Sequence, residues 1–302
     1  IPVSHEAFDL PIPGIVHVSE PNWLHNSQPG ESKTEYASRL AHELEDIILR
    51  EGPDTIAGFI AEPITGAGGV IIPPDTYYEK IQKVLDSYDI MFFADEVICG
   101  FGRTGNMWGC ETMGIRPNTM TLAKALTSAY QPLSALVIDK EFYSGIEMGC
   151  NKIGYFGHGT TYGGHPVACA VALKVIELFE QRNMLSHIAQ VSKHFKSKIM
   201  EFKDHPLVGD VRCKGLLGAI ELAEDKKRGK FFSPDGLIAK RVKDRAEERY
   251  KLIFRQAPCG DTCAFSPPLI INEEEITEMF KRFRKALDEV SSELHQEGVI
   301  KL

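Results

Sequence analysis

The sequence predicts an α/β fold, with a mostly parallel sheet in a large domain followed by a smaller α+β domain. In the first half of the chain, short apolar runs of strand length alternate with segments of helical periodicity. An ionisable residue ends or follows three of these runs. After about residue 185, short strand candidates and longer charged helices replace this alternation. We therefore predict two domains, residues 1–184 and residues 185–302.

The first half predicts successive β-α-β units. Apolar residues recur at helical spacing from Glu35 to Arg50, and the Gly52-Pro53-Asp54 sequence ends that helix. The pattern next predicts a strand, a helix and three further strands, over Thr55–Ala61, Thr76–Tyr88, Ile90–Ala94, Thr119–Ala123 and Ala135–Ile138. The Pro-rich opening of the chain is predicted to be an irregular loop.

The second half predicts longer helices and short strands. The helices are expected over His165–Gln181, Leu185–Lys203, Pro234–Tyr250 and Glu273–Glu297. The strands are expected near Gly215–Leu222, Leu252–Arg255 and Cys263–Ser266.

Composition excludes several classes of protein. The chain has 302 residues, of which 43% are hydrophobic and 25% charged, as in soluble globular proteins. Its net charge of −8 is dispersed and no basic stripe is present, so neither nucleic acid nor a membrane is an expected partner. No apolar run is long enough to span a bilayer and no signal-peptide pattern opens the chain, which predicts a cytoplasmic location. The seven scattered cysteines indicate reduced thiols, and no metal site is predicted.

Three ionisable residues are expected to converge on one crevice. Glu62, Asp95 and Lys124 each lie at or just after the end of a predicted strand. In parallel sheets the ligand site lies beyond the carboxyl ends of the strands. A carboxylate such as Asp95 is costly to bury without a positive partner, although an isolated Asp at a strand end can also serve as a helix N-cap or a turn residue.

Five motifs in order resemble the class III pyridoxal-phosphate-dependent aminotransferases. Asp95-Glu96-Val97 precedes Gly100-Phe101-Gly102-Arg103-Thr104-Gly105, and Thr121-Leu122-Ala123-Lys124 follows at the family's spacing. The other three motifs are Ala61-Glu62-Pro63-Ile64 with Gly66-Ala67-Gly68-Gly69-Val70, the run from Thr161 to Ala168, and Arg255 with Gly260-Asp261 and Ser266-Pro267-Pro268-Leu269. The resemblance implies the aspartate-aminotransferase-like fold type I, with residues 1–184 forming the later part of the cofactor-binding domain.

The resemblance also implies roles for the strand-end residues. Lys124 would form the Schiff base with pyridoxal 5′-phosphate and move the substrate proton. Asp95 would keep the pyridine nitrogen protonated, so that the ring accepts electrons. Val97 would pack against the ring, which is compatible with an ordinary core position. Glu62 would join the hydrogen-bond network near the cofactor, or would form a structural ion pair.

Two further roles follow from the same resemblance. Thr161 would reach the cofactor phosphate of a neighbouring subunit, which implies a homodimer with shared active sites. A turn role is the alternative for Thr161. Arg255 would bind the substrate carboxylate with its planar donor fork, and a surface ion pair is the alternative.

The chain departs from the family pattern at several positions. Ornithine- and 4-aminobutyrate-type members have a glutamate that pairs with the substrate arginine where this chain has Ala67, which favours the amine and ω-amino-acid:pyruvate branch. Ala125 and Ala129 stand where glycine is usual, and Thr160 stands where a bulkier residue is common. The family's earlier phosphate-binding turn and ring-stacking aromatic residue have no counterpart here, so an N-terminally truncated chain is expected.

The predicted function is transamination of an amine or ω-amino acid with a small keto acid, pyruvate, as acceptor. A diaminopelargonate-type aminotransferase or a glutamate-semialdehyde aminomutase is the alternative within the family. A catalytically silent truncated chain is the alternative from another class.

Overall fold

The computed structural model describes residues 2–232 and 237–300, which form two sheets with helices packed around them. The first sheet has the order β1-β2-β3-β4, with β1 (Gly58–Ala61), β2 (Met91–Asp95), β3 (Thr119–Leu122) and β4 (Ala135–Ile138). Strands β1, β2 and β3 are parallel, and β4 is antiparallel to β3. The carboxyl ends of the three parallel strands therefore meet at one edge of this sheet.

The helices of this part are α1 (Pro2–Ala7), α2 (Trp23–Asn26), α3 (Lys33–Glu51), α4 (Tyr77–Ser87), α5 (Gly109–Met113), α6 (Lys140–Ile153) and α7 (Pro166–Gln181). A capping box between Ser32 and Glu35 begins α3, because each side chain bonds the other residue's backbone N–H. The apolar faces of α3 and α4 pack on β2 through residues such as Leu44, Ile81 and Phe92. These two helices therefore cover one face of the first sheet.

The second sheet is antiparallel and contains β5 (Val208–Lys214), β6 (Leu217–Asp225), β7 (Lys230–Phe231), β8 (Arg255–Gln256) and β9 (Thr262–Phe265). Its order is β5-β6-β9-β8, and β7 pairs with β6. Helices α8 (Met184–Met200), α9 (Leu237–Tyr250) and α10 (Glu273–Gln296) bury their apolar residues against it. The phenylalanines Phe202, Phe254, Phe265, Phe280 and Phe283 meet in this core, with ring centroids 5.0–5.7 Å apart.

Apolar side chains and one tight backbone approach join the two sheets. Ile64, Val70 and Cys99 pack with Leu217 and Ala264 of the second sheet. Gly215 adopts a φ of +60°, and a Cβ atom there would lie 2.4 Å from the carbonyl carbon of Thr104. Only glycine fits such an approach, so the turn between β5 and β6 lies directly against the loop that follows β2.

The structure confirms the predicted α/β fold class and most of the predicted elements. Two short helices, α1 and α2, lie in the opening that was predicted to be irregular. Helices α5 and α6 and strands β5 and β7 were missed, and the predicted strand near Gly215–Leu222 is the second arm of a β5-β6 hairpin. The predicted start of a helix at Pro234 lies outside the described residues. The structure describes this helix, α9, from Leu237 onward. The predicted domain boundary, which falls within α8, stays a prediction.

One segment of the first half carries many exposed apolar residues. We call residues 135–173, from β4 to the middle of α7, the uncovered segment. Its exposed large apolar side chains are Leu136, Val137, Tyr143, Met148, Ile153, Tyr155, Phe156, Tyr162, Val167 and Leu173. In α7 the buried residues are Ala168 and Ala172. Among the described residues, none of the helices is long and apolar enough to cross a membrane.

Candidate active site

The structure brings Glu62, Asp95 and Lys124 to the same edge of the first sheet. Glu62 follows β1, Asp95 is the last residue of β2, and Lys124 comes two residues after β3. Ala61 pairs with Ala94 and Asp95 pairs with Thr121, so the three strand ends are level. The charges of Asp95 and Lys124 both act on the Glu62 carboxyl. The predicted convergence of these residues is therefore present.

Only one of the two oxygens of the Asp95 carboxylate accepts hydrogen bonds from the described residues. Its Oδ1 accepts hydrogen bonds from the backbone N–H of Val97, at 3.0 Å, and from the Thr121 hydroxyl, at 3.3 Å. Within residues 2–232 and 237–300, no protein group bonds Oδ2. An oriented carboxylate with one free oxygen suits a protonated ring nitrogen, so this site fits the pyridine of a pyridoxal cofactor.

The Glu62 carboxylate lies beside a glycine-rich loop. Its Oε2 accepts a hydrogen bond from the Gly66 backbone N–H at 2.9 Å. Burial raises the pKa of Glu62, the Gly66 N–H lowers it, the charge of Asp95 raises it and that of Lys124 lowers it. The pKa stays above the ordinary value because burial is the largest of these effects. The protonated form of Glu62 is therefore favoured more than that of a surface glutamate.

Lys124 begins a short 3-10 helix (Lys124–Leu126), and its side chain is exposed. Its φ of +43° and the φ values of Ser128 (+49°) and Ala129 (+63°) lie in the left-handed region. Non-glycine residues rarely adopt this region, and such strain is concentrated at functional sites. Ala129 is one of the two positions where the resemblance to the family leads us to expect glycine. A φ of +63° is a conformation that favours glycine.

Among the described residues, no hydrogen bond or ion pair joins Thr161 or Arg255 to Glu62, Asp95 or Lys124. Thr161 is exposed in the turn between α6 and α7, where the Gly163 N–H donates to the Thr160 carbonyl. Arg255 is exposed at the start of β8 and pairs with Ala264 in the sheet. Throughout the described ranges, no carboxylate forms an ion pair with Arg255, so its guanidinium is available to a substrate anion.

Sequence reasoning missed two supporting residues. Thr121 supports Asp95, and the facing register of β2 and β3 is the signal that could have found it. Arg212 reaches the Gly66–Val70 loop from β5, and no sequence signal links these segments. Glu96 is buried and accepts the N–H groups of Gly109 and Cys110, so it caps α5 and has a structural role. In the described part of the chain, no His, Cys, Asp and Glu side chains form a group that could hold a metal ion.

Solved structures with the same fold are transaminases. The omega transaminase from Pseudomonas jessenii in complex with PMP superposes with a TM-score of 0.93 and is 46% identical, covering 97% of this chain and 64% of its own. A structure described as a transaminase with L-ala gives a TM-score of 0.93 at 44% identity, over 97% of this chain and 69% of the other. The fold and the strand-end site thus define a pyridoxal-phosphate enzyme domain of fold type I.

The sequence comparison then gives the family. The family model for class III aminotransferases (Aminotransferase class-III) matches residues 4–287, so the chain belongs to this family. The gamma aminobutyrate transaminase 3, chloroplastic, of Solanum lycopersicum is 43% identical over 296 residues. A probable gamma-aminobutyrate transaminase 2, mitochondrial, of Oryza sativa subsp. indica is 44% identical over 287 residues. The chain spans 56% and 57% of the lengths of these two relatives.

Proposed function

We propose that the protein catalyses transamination with pyridoxal 5′-phosphate. The observation that carries this proposal is the arrangement of Asp95 and Lys124 on adjacent strand ends, with one oxygen of Asp95 held and the other free. When bound, the cofactor supplies an electron-accepting ring that stabilises the carbanion left after proton loss. This arrangement is the one that such a ring requires.

The residues of the chain have separate tasks in this proposal. Asp95 would hold the ring nitrogen of the cofactor and favour its protonated form. Lys124 Nζ would hold the cofactor and would be the base for the proton on the substrate carbon. Val97, half-buried beside Asp95, packs on the ring, and Glu62 supplies a carboxyl near both ionised groups.

The proposed substrates are an amine or ω-amino acid as donor and a small keto acid, pyruvate, as acceptor. Arg255 binds the acceptor carboxylate. Ala67 supports the choice of substrates, because its methyl side chain lies in the Gly66–Val70 loop and cannot form an ion pair with the guanidinium. The relatives named as gamma-aminobutyrate transaminases make γ-aminobutyrate the first donor to test.

Titration with pyridoxal phosphate tests the proposed cofactor site. We expect an absorbance band at about 410 nm that is bleached by an amine donor and absent in Lys124→Ala. Lys140→Ala is the matched control, because Lys140 is also exposed and also follows a strand, β4. If the wild-type chain shows no band at saturating cofactor, it is catalytically silent by itself. If Lys124→Ala keeps the band, the assignment of the lysine is wrong.

A panel of donors and acceptors tests the substrate class. Pyruvate is expected to be preferred to 2-oxoglutarate, and Arg255→Ala is expected to raise the KM for the keto acid more than it lowers kcat. Activity with diaminopelargonate precursors, or conversion of glutamate semialdehyde without an external acceptor, would favour the alternative activities. A preference for 2-oxoglutarate would contradict the acceptor that we propose.

We further propose a homodimer in which Thr161 serves the neighbouring site. The uncovered segment supports this proposal, because an apolar surface of this kind marks an interaction site and it contains Thr161. Sedimentation of the wild type is expected to show a dimer, and Leu173→Glu, at a residue that is 69% exposed, is expected to shift it toward monomer. A wild type that sediments as a monomer at all concentrations would contradict the proposal.

A further inference from the structure

The Gly66–Val70 loop follows β1 of the first sheet, but it is held by Arg212 of β5, which belongs to the second sheet. Arg212 Nη2 donates to the Gly69 carbonyl at 2.7 Å, and Nε donates to the carbonyls of Gly69 and Val70 at 3.1 and 3.0 Å. The other end of the guanidinium, Nη1, donates to Asp210 at 2.8 Å and to Glu221 at 2.6 Å. One side of the guanidinium is thus fixed by two carboxylates, and the other side donates hydrogen bonds to the loop.

The anchor behind Arg212 is a nearly buried charge cluster. The Glu221 side chain is 6% exposed and also bonds His25 of α2, at 2.5 Å. Burial raises the pKa of Glu221, but hydrogen bonds from His25 and Arg212 outweigh burial and lower it. Glu221 is therefore ionised at neutral pH, and the Arg212 side chain cannot turn away from the loop without giving up its ion pair with this buried carboxylate.

The loop that Arg212 holds is compact and strained. The N–H groups of Gly69 and Val70 both donate to the Gly66 carbonyl, and Thr65 and Ile71 pair at its base. Val70 has a φ of +55°, an outlier for a β-branched residue, and its side chain is buried against the second sheet. Such a conformation persists only where the surroundings impose it, and Arg212 is the polar part of those surroundings.

The same loop reaches the site through Gly66, whose N–H holds the Glu62 carboxylate at 2.9 Å. The charges of Asp95 and Lys124 shift the pKa of Glu62. Burial and, in turn, the charge of Glu62 raise the pKa of Tyr78 and of Cys99. A continuous path of contacts therefore runs from the Asp210 and Glu221 carboxylates, through Arg212 and the loop, to the Glu62 carboxylate.

We propose that Arg212 is a positioning residue for the candidate active site. It holds the Gly66–Val70 loop in its strained form from the second sheet, and thereby keeps the Gly66 N–H directed at Glu62. The relevance of this role to catalysis rests on the proposed function, but the physical link between Arg212 and Glu62 does not. The link can therefore be measured in the protein without cofactor.

Amide hydrogen exchange in Arg212→Lys is the first measurement. Lysine keeps the positive charge but cannot donate to two carbonyls and two carboxylates at once. We expect the amides of Gly66, Val70 and Ile71 to exchange at least about tenfold faster, while those of β1 and β6 keep their protection. Equal exchange in the loop of wild type and variant would overturn the proposal.

The titration of Glu62, followed by carbon NMR in the cofactor-free chain, is the second measurement. With the Gly66 N–H misdirected, the pKa of Glu62 is expected to rise further, because a hydrogen bond to the charged form is lost. An unchanged Glu62 titration in a variant with a loosened loop would also overturn the proposal, because the loop would then not position the carboxyl.

Arg245→Lys is the matched control for both measurements. The Arg245 side chain is 18% exposed, against 16% for Arg212, and it also donates to two carboxylates, those of Glu289 and Glu293 at 2.6 and 2.7 Å. It does not touch the loop, so the loop amides and the Glu62 titration are expected to remain as in wild type. Equal changes in both variants would show a general loss of stability and would contradict a specific role.

A third measurement separates this proposal from the proposed function. In the chain with bound pyridoxal phosphate, the pH midpoint of the band at about 410 nm is expected to fall in Arg212→Lys, because loss of the Gly66 N–H disfavours the charged form of Glu62, which would stabilise positive charge beside Lys124. If the wild-type chain binds no cofactor, the proposed function of this chain fails, while the exchange and titration results still decide the role of Arg212. A band whose midpoint is unchanged would overturn that role.

Discussion

Helices α7 and α8 follow one another in the chain and are both rich in apolar residues, yet they are covered very differently. In α8, Met184, Ile188, Val191, Phe195 and Ile199 are buried under the second sheet and α10. In α7, the buried residues are the two alanines, and Val167 and Leu173 are exposed. The strands differ in the same way, since β6 is buried from Leu217 to Ala223 and β4 is largely exposed.

The two regions thus have different roles, one in the stability of the fold and the other in the chemistry of the candidate site. The second sheet and its helices form a closed core that stabilises the fold. The first sheet carries the candidate active site, and the uncovered segment at its β4 side leaves most of its large apolar side chains exposed. Apolar character in a sequence therefore predicts burial in the final assembly, and the assembly can include surfaces beyond one folded chain.

The largest expected effect on stability comes from the closed core. Phe283→Ala is expected to lower the free energy of unfolding by about 3–5 kcal/mol, because the ring is fully buried among other phenylalanines. Phe156→Ala, at a residue that is 59% exposed in the uncovered segment, is expected to change it by no more than about 0.5 kcal/mol. Urea denaturation measures both. Equal losses would show that the uncovered segment is packed in solution.

The next effect tests the junction between the two regions. Arg103 donates from its Nη1 to the Leu216 and Pro267 carbonyls, at 3.0 and 2.7 Å, and burial lowers its pKa to about 10. Arg103→Met is expected to cost about 1–3 kcal/mol, because both carbonyls lose their donor.

Arg116→Met provides the control for this prediction, since Arg116 is an exposed arginine paired with Asp86. Its loss is expected to cost about 0–1 kcal/mol. Thermal and urea unfolding would report both changes. An Arg103 variant as stable as the Arg116 variant would show that these carbonyls are hydrated and that the junction is looser than the structure indicates.

A smaller, pH-dependent effect is expected at His25, which connects α2 to the second sheet. The hydrogen bond to Glu221 raises the pKa of His25. The stabilisation is therefore complete below the unfolded pKa of about 6.5 and is lost as pH rises through the folded value. His25→Gln is expected to cost about 1 kcal/mol or less at pH 5.5, since His25 is one-third exposed, and clearly less at pH 9.

Unfolding curves at the two pH values measure this difference. His42→Gln is a suitable control, because His42 is an exposed histidine of α3. A His25 variant whose cost is the same at both pH values would show that the neutral imidazole already supplies the whole interaction.

The smallest expected effect lies next to Lys124. Ala129→Gly is expected to stabilise the protein by about 0.5–1 kcal/mol, because glycine adopts a φ of +63° without the Cβ strain. Ala125→Gly is the matched control in the 3-10 helix, where glycine is expected to destabilise by a similar amount. Differential calorimetry distinguishes the two signs. A loss of stability in both variants would mean that Ala129 is not strained.

Local patterns were sufficient to predict the elements that have a regular apolar pattern, whether or not these elements are buried. Apolar periodicity and the turn residues between the elements predict the strands β1 to β4 and the helices α3, α4 and α10. The rule for parallel sheets predicts that Glu62, Asp95 and Lys124 meet at the strand ends. Strand β5 was missed, although its charged residues Asp210, Arg212 and Lys214 alternate with Val211 and Cys213 as in a half-buried strand. Arg212 pairs with Asp210 and Glu221 of the same hairpin, but it also contacts a loop more than 140 positions earlier, which no local pattern predicts.

The roles of Thr161 and Arg255 stay predictions, since both depend on molecules outside a single chain. The cytoplasmic location is likewise a prediction from the sequence.

The antiparallel strand β4 has a practical consequence for handling the protein. It is the last strand of its sheet in the described structure, and its sequence Ala-Leu-Val-Ile has no charge, proline or glycine. An edge of this composition can template intermolecular pairing. Concentrated stocks are therefore expected to lose material by edge-to-edge aggregation of still-folded molecules, at temperatures well below the unfolding transition. A lysine at Val137 is the simplest change to improve shelf life.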